Sequence, residues 1–325
     1  MMFATGKAEN LNISTINHTH YPMTPPITPT PLAPTAPVTI ALIQMAMSDD
    51  LSSNLARACD RIRVAVAAGA EVVVLPELFR TPYFCVQNFQ QEAQVGARYG
   101  EVISDRAMMA IGELAGKLGV VIVAGSFYEA GRYNTAAVFD VDGSLCGTYR
   151  KSHIPQDPGF YEQEYFEPGD TGFMVFDTAK LRVSVLICFD QWFPEAARCA
   201  TLQGAELLVY PTAIGNVDSC GQPTGHWQEA WEISQRAHAI ANSVPVAVAN
   251  RVGSEGESRF WGGSFVCDAF GKILAKGGVA DEIVLATIDR NHGPTVCQEW
   301  GFIRNRRPDL YGAIVAPVVK KNSAE

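Results

Sequence analysis

The sequence predicts an α/β fold for residues 38–318, and three observations lead there. Short apolar runs rich in β-branched residues alternate with stretches whose apolar residues recur at helical spacing. Gly, Pro, Asn and Asp turn signals separate them, and no second linker or internal repeat interrupts the region. The composition, 47% hydrophobic against 18% charged over 325 residues, suits a chain able to bury a large core.

Taken in order, "VTIALI" (38–43) predicts a strand, and 51–69 a helix capped near Ser48-Asp49-Asp50. "EVVVLP" (71–76) predicts a strand, 104–118 a helix and "VVIVAGS" (120–126) a strand. The rhythm then changes to hairpins: 133–141 with 144–150 around Asp142-Gly143, and 172–177 with 181–187. A helix is expected to start near Pro194. "AELLVYP" (205–211), a helix over 226–243 and "VPVAVAN" (244–250) restore the alternation before a hairpin-rich stretch at 258–289. Mixed strands flanked by helices predict two sheets packed face to face with helical layers outside them.

The ends differ in character. Residues 1–37 contain "YPMTPPITPTPLAPTAPV", a Pro/Thr alternation with too few apolar side chains to build a core, and predict a disordered extension. Residues 319–325 predict a flexible tail. Asn12-Ile13-Ser14 and Asn17-His18-Thr19 match glycosylation acceptors in form only, since no secretory signal is read in the extension. The net charge of -9, with no Lys/Arg cluster, argues against a nucleic-acid or membrane surface. No run approaches the ~18 apolar residues of a membrane span. Eight scattered cysteines with no Cys-x-x-Cys pair predict reduced thiols in the cytoplasm, and neither they nor the histidines show the spacing of a zinc site.

Three polar residues each end an apolar run: Glu77, Lys151 and Cys188. Strand ends on one rim are where α/β folds gather reactive groups. A nucleophilic thiol needs a base, a cation or amides for the oxyanion, and a proton for the leaving group. Glu77, Lys151 and the Phe189 amide offer these. The plain alternatives stand beside this: a buried packing thiol, a Glu complementing a helix start, a solvated Arg-Lys pair.

Five ordered stretches, "VVVLPELF" (72–79), "YRKSHIP" (149–155), "YFEPGDTGF" (165–173), "ICFDQWFPEAAR" (187–198) and "YPTAIG" (210–215), resemble the nitrilase, or carbon–nitrogen hydrolase, superfamily. "RKSHIP", "DQWFPEAAR", "YPTAIG" and "RRPDLY" (306–311) are most similar to the N-carbamoylputrescine amidases within it. The resemblance implies an αββα sandwich, a homodimer or larger homo-oligomer, and a mechanism without cofactor or metal. It implies Cys188 as nucleophile, Glu77 as base, Lys151 as oxyanion cation, and Glu162 as second glutamate, with Glu164 close by as the competing assignment.

The implied substrate is a small carbamoyl amine, N-carbamoylputrescine, cleaved to putrescine, carbon dioxide and ammonia. Alternatives are another superfamily amidase, such as a β-ureidopropionase or ω-amidase, or a binding module that kept the fold without turnover. Relatives acting on carbamoyl amino acids carry arginines after the nucleophile to grip a carboxylate. Here Asp190, Gln191 and Trp192 follow, then Glu195. The expected substrate-binding set is Phe189, Asp190, Trp192, Glu195, Tyr83 and Thr212. The competing reading makes Asp190 a helix cap, Glu195 a dipole partner and Trp192 core. The "NVDSCGQPTGHWQEAW" stretch (216–231) departs from the family pattern and is expected to wall the pocket.

Overall fold

The core that each side chain enters alternates with period two along β1 (Val38–Gln44): Val38, Ile40 and Leu42 face one core and Ala41 and Ile43 another. A strand covered on both faces requires that pattern. In the computed structural model the described residues are 35–86, 95, 98–101, 103–218 and 225–317. Most of the expected extension, the tail at 319–325, both Asn-x-Ser/Thr motifs and Cys220 lie outside them.

β2 (Val72–Val74) runs parallel to β1, and β4 (Val121–Val123) runs parallel to β2. The run expected over 71–76 is shortened by its proline. Leu75 N–H still donates to Val123 O at 3.0 Å, and Pro76 has no N–H with which to continue. Beyond β4 the sheet continues through β6 (Tyr133–Phe139), β5 (Phe127–Glu129) and β3 (Gly100–Glu101). β7 (Leu145–Arg150) pairs with β6 across the expected turn, where Gly143 adopts φ +84°. The opposite edge is β17 (Glu282–Ile288), antiparallel to β1.

A second sheet has the order β16 (Ile273–Lys276), β15 (Phe265–Cys267), β12 (Val246–Asn250), β10 (Leu207–Thr212), β9 (Arg182–Val185), β8 (Val175–Asp177). The 172–187 hairpin is therefore present as the β8–β9 pair. In the 258–289 region only β15 and β16 form a hairpin with each other. β14 (Ser258–Trp261) joins β11 (Gly215–Val217) and β13 (Val252–Glu255) in a small third sheet, and β17 crosses to the first.

Ile40, Leu42, Val72, Val74, Val121 and Val123 share a core with Val183, Val185, Val209, Val246 and Val248, so the two large sheets face each other. Outside the first lie α1 (Leu51–Ala67) and α2 (Arg106–Leu118), whose Ala58, Ile62, Met108 and Ile111 pack on Ala41, Ile43, Val73 and Ile122. Asp50 caps α1, its carboxylate accepting from Ser52 N at 2.9 Å and Ser53 N at 3.1 Å. α3 (Pro194–Leu202) and α4 (Trp227–Asn242) cover the second sheet through Ala196, Ala200, Trp231 and Ala239. The layers run helix, sheet, sheet, helix, the αββα sandwich. A last helix, α5 (His292–Trp300), follows β17. No helix among the described residues is long and apolar enough to cross a membrane.

Candidate active site

Five strand ends meet here. β2 leads to Glu77, β7 to Lys151, β9 through Leu186 and Ile187 to Cys188, β10 to Ala213 and β12 to Arg251. Glu77, Lys151 and Glu162 are fully buried. Lys151 Nζ donates to Glu77 Oε1 at 2.9 Å and to Glu162 Oε2 at 2.6 Å. Tyr83 O–H donates to Glu162 Oε1 at 2.8 Å, and Asn134 Nδ2 to Glu77 Oε1 at 2.8 Å. Glu77 Oε2 is buried without a hydrogen-bond partner among the described residues.

The loop that carries Glu77 is held from three sides. Arg251, itself fully buried, donates from Nε to Glu77 O at 3.0 Å and from Nη2 to both Leu78 O and Thr81 O, the latter at 2.8 Å. Glu255 Oε1 balances its charge at 2.7 Å. Ser126 Oγ accepts from Leu78 N at 2.9 Å. Gly125 makes room for that approach, because a Cβ there would lie 2.1 Å from Pro76 O. Leu78 at φ +47° and Cys188 at φ +41° both occupy the left-handed region. Each such placement costs a non-glycine residue on the order of 1–3 kcal/mol, so the surroundings must impose it.

The electrostatics join the thiol to the cluster. Burial pushes the Cys188 thiol well above its usual range, Glu77 adds to this, and Lys151 pulls down without prevailing. The main-chain amide of Ala213 lies near enough to the sulfur to pull the same way as Lys151, more weakly. Lys151 thus favours the thiolate but is outweighed in sum: the resting thiol keeps its proton. Burial also pulls the Lys151 ammonium down, but Glu162 and Glu77 overcome it and hold the group well above the usual lysine range. Burial raises the Glu162 carboxyl to about 7 against the pull of Lys151. One cation against two carboxyls in a dry site favours keeping one proton on the acidic side.

Glu162 and Glu164 differ in what they touch. Glu164 is only half-buried and accepts from Gln156 Nε2 at 2.8 Å, whereas Glu162 meets the lysine. The expected substrate-binding set fares unevenly. Asp190 is fully buried and both its oxygens are taken by Ile187, Tyr149 and His153, so it offers no free carboxylate to an ammonium; nor does it cap α3, which has no side-chain cap. Thr212 is likewise buried, its hydroxyl donating to Tyr210 O at 3.2 Å beside Gln191 Oε1 at 3.4 Å. Tyr83 belongs to the cluster through Glu162 rather than standing at its mouth. Phe189 is half-buried beside Cys188, edge-on to Phe193 at 5.5 Å, and Trp192 is half-buried and edge-on to Trp227 at 6.2 Å. Glu195 is exposed in the first turn of α3.

Asn134, Arg251, Ser126 and the Ala213 amide were not anticipated. Arg251 follows "VPVAVAN" at a strand end, the same signal that marks Glu77 and Lys151. Asn134 sits inside a strand and carries no such mark.

The family profile for carbon-nitrogen hydrolases matches residues 39–300. The chain belongs to the carbon-nitrogen hydrolase family. Among curated members, it is 41% identical over 291 residues to the N-carbamoylputrescine amidase of Solanum tuberosum, covering 86% of this chain and 95% of that one. It is 37% identical over 288 residues to a citrullinase of Francisella tularensis, covering 86% and 99%. Among solved structures, a carbon-nitrogen hydrolase from Helicobacter pylori G27 superposes with a TM-score of 0.81 at 36% identity, covering 87% of this chain and all of that one. As a member of this family the protein is an enzyme that hydrolyses C–N bonds.

Proposed function

We propose that this hydrolase cleaves the carbamoyl group of N-carbamoylputrescine, giving putrescine, carbon dioxide and ammonia, with Cys188 as nucleophile. The observation that carries the reading is the Glu77–Lys151–Glu162 cluster acting on the Cys188 thiol, in a chain 41% identical to an N-carbamoylputrescine amidase over nearly its whole domain.

The chemistry follows from the geometry. The thiol rests protonated, so attack on the carbamoyl carbon needs a base that acts as the S–C bond forms. Glu77 Oε2, the oxygen with no hydrogen bond, takes that proton. The carbonyl oxygen gains negative charge, which the Lys151 ammonium and the Phe189 N–H stabilise. Glu77 returns the proton to the departing nitrogen, the C–N bond breaks, and a carbamoyl thioester remains on Cys188. Glu77 next removes a proton from water as it attacks that thioester, and the thiol leaves with the proton restored. The released carbamate decomposes to carbon dioxide and free nitrogen base. Glu162 and Tyr83 hold the lysine in place throughout.

Preference for an amine end rests on what the turn after Cys188 lacks. Phe189, Asp190, Gln191 and Trp192 include no arginine for a carboxylate. With Asp190 withdrawn into the fold, the half-buried Phe189 and Trp192 rings and the exposed Glu195 are the groups left to receive an ammonium. We further infer a homodimer or larger homo-oligomer in the cytoplasm, supported by exposed Trp300, Leu310 and Ile314 near the C-terminal end and by the unpaired spacing of the cysteines. The hydrolase domain is taken as 38–318, between a Pro/Thr-rich extension and a short tail.

Ammonia release from N-carbamoylputrescine, N-carbamoyl-β-alanine and citrulline by the purified enzyme tests the substrate. The expected order places N-carbamoylputrescine first by at least about tenfold in kcat/KM. Preference for either carboxylate-bearing compound would overturn the reading.

A further inference from the structure

We propose that Asp190 and His153 form a latch that ties the nucleophile turn to the lysine loop and so sets the distance across which Cys188 and Lys151 act on one carbonyl. The proposal rests on Cys188 and Lys151 doing the chemistry described above. Both latch residues are positioning residues, since neither is placed to touch the substrate.

Four donors converge on the Asp190 carboxylate. From the nucleophile side, Ile187 N–H donates to Oδ2 at 2.9 Å. From the lysine side, Tyr149 O–H donates to Oδ2 at 2.7 Å, His153 N–H to Oδ1 at 3.0 Å, and His153 Nδ1 to Oδ1 at 2.7 Å. A carboxylate accepts only, so the Nδ1 carries the proton in that contact. The imidazole is fixed from its other face by Phe193, ring centroids 3.7 Å apart and planes within 5°. Phe193 is the residue before α3, so the stack also anchors the far end of the turn that Cys188 begins.

The spacing is what makes this a latch rather than a cap. Tyr149 and His153 lie two residues either side of Lys151 in the chain, so the two residues that meet Asp190 flank the lysine before and after it. Asp190 lies two residues beyond Cys188, and Ile187 immediately before it. One buried carboxylate thus brackets both reactive residues. It also opposes the strain at Cys188: the left-handed φ of +41° needs a partner that holds Ile187 and Asp190 together across it, and the Ile187 N–H to Asp190 bond does so. Placement errors of about 1 Å can cost ~100-fold in rate when both groups must meet the same carbonyl.

The test compares His153→Phe, which keeps the stack and loses the donor, with His153→Asn, whose amide N–H replaces Nδ1. The latch predicts that His153→Phe lowers kcat about 10- to 100-fold with KM changed less than about twofold, and that His153→Asn recovers at least half the parental kcat. Hydrogen exchange of residues 187–193 is read in parallel and needs no substrate: His153→Phe should speed it at least about tenfold and His153→Asn should not. A His153→Phe enzyme with parental kcat, or with its whole loss in KM, overturns the latch. So does unchanged exchange in that variant. If the parent ignores N-carbamoylputrescine while the exchange result holds, the substrate reading fails and the latch stands.

Discussion

Glu77 and Asp190 are both fully buried carboxylates, yet the protein treats them in opposite ways. Asp190 accepts four hydrogen bonds, two on each oxygen. Glu77 has one oxygen bonded to Lys151 and Asn134 and the other bonded to nothing among the described residues. A bare buried acceptor costs about 1–3 kcal/mol, and Arg251, Ser126 and Glu255 hold the loop that keeps it so. On the mechanism proposed above, the difference separates a group that changes protonation in each cycle from one that only holds its neighbours in place.

The comparison breaks first at the nucleophile. Cys188→Ala should lose on the order of 10^5-fold or more in kcat in the ammonia assay, and Glu77→Gln about 10^2–10^4-fold, since an amide oxygen cannot take the thiol proton. Lys151→Met should weaken activity and fold together. It leaves Glu77 and Glu162 buried without their cation, a loss of roughly 3–5 kcal/mol to be read by chemical denaturation. An unchanged stability would mean that the cluster is wetter than its burial implies.

Glu162 sharpens the picture through pH. Its carboxyl is raised from 4.5 to about 7, chiefly by burial, so the folded state holds the proton more tightly than the unfolded state does. That contribution to stability is full below about 4.5 and is lost as pH rises through about 7. The melting temperature of the parent should therefore fall relative to Glu162→Gln between pH 5 and 8, by roughly a few degrees. Glu195 marks the smallest effect. As an exposed rim charge it should, when changed to Gln, raise KM for N-carbamoylputrescine less than about fivefold and leave kcat alone.

Much of this was legible from residue order. A polar residue ending an apolar run marked Glu77, Lys151 and Cys188, because strand ends are where a chain leaves the core. The β-branched run at 38–43 gave the strand β1 but not its neighbours. That β17 returns from the far end of the chain to lie along β1 is a matter of sheet order, on which alternation is silent. Glu162 emerged from resemblance alone. Asp190 was placed among the substrate contacts because its position beside the nucleophile is visible in sequence, whereas its burial and its partners Tyr149 and His153 belong to the tertiary fold. Asn134 in β6 and Ser126 in the link between β4 and β5 reach Glu77 and its loop and have no sequence signature at all.

The central claim is that Cys188 attacks the carbamoyl carbon with Glu77 taking its proton. Rapid quenching of the enzyme during turnover of N-carbamoylputrescine, followed by peptide mass spectrometry, tests it most directly. The account predicts a carbamoyl increment on the peptide carrying Cys188 and on no other cysteine. An adduct on a different residue, or full turnover by Cys188→Ala, would contradict it.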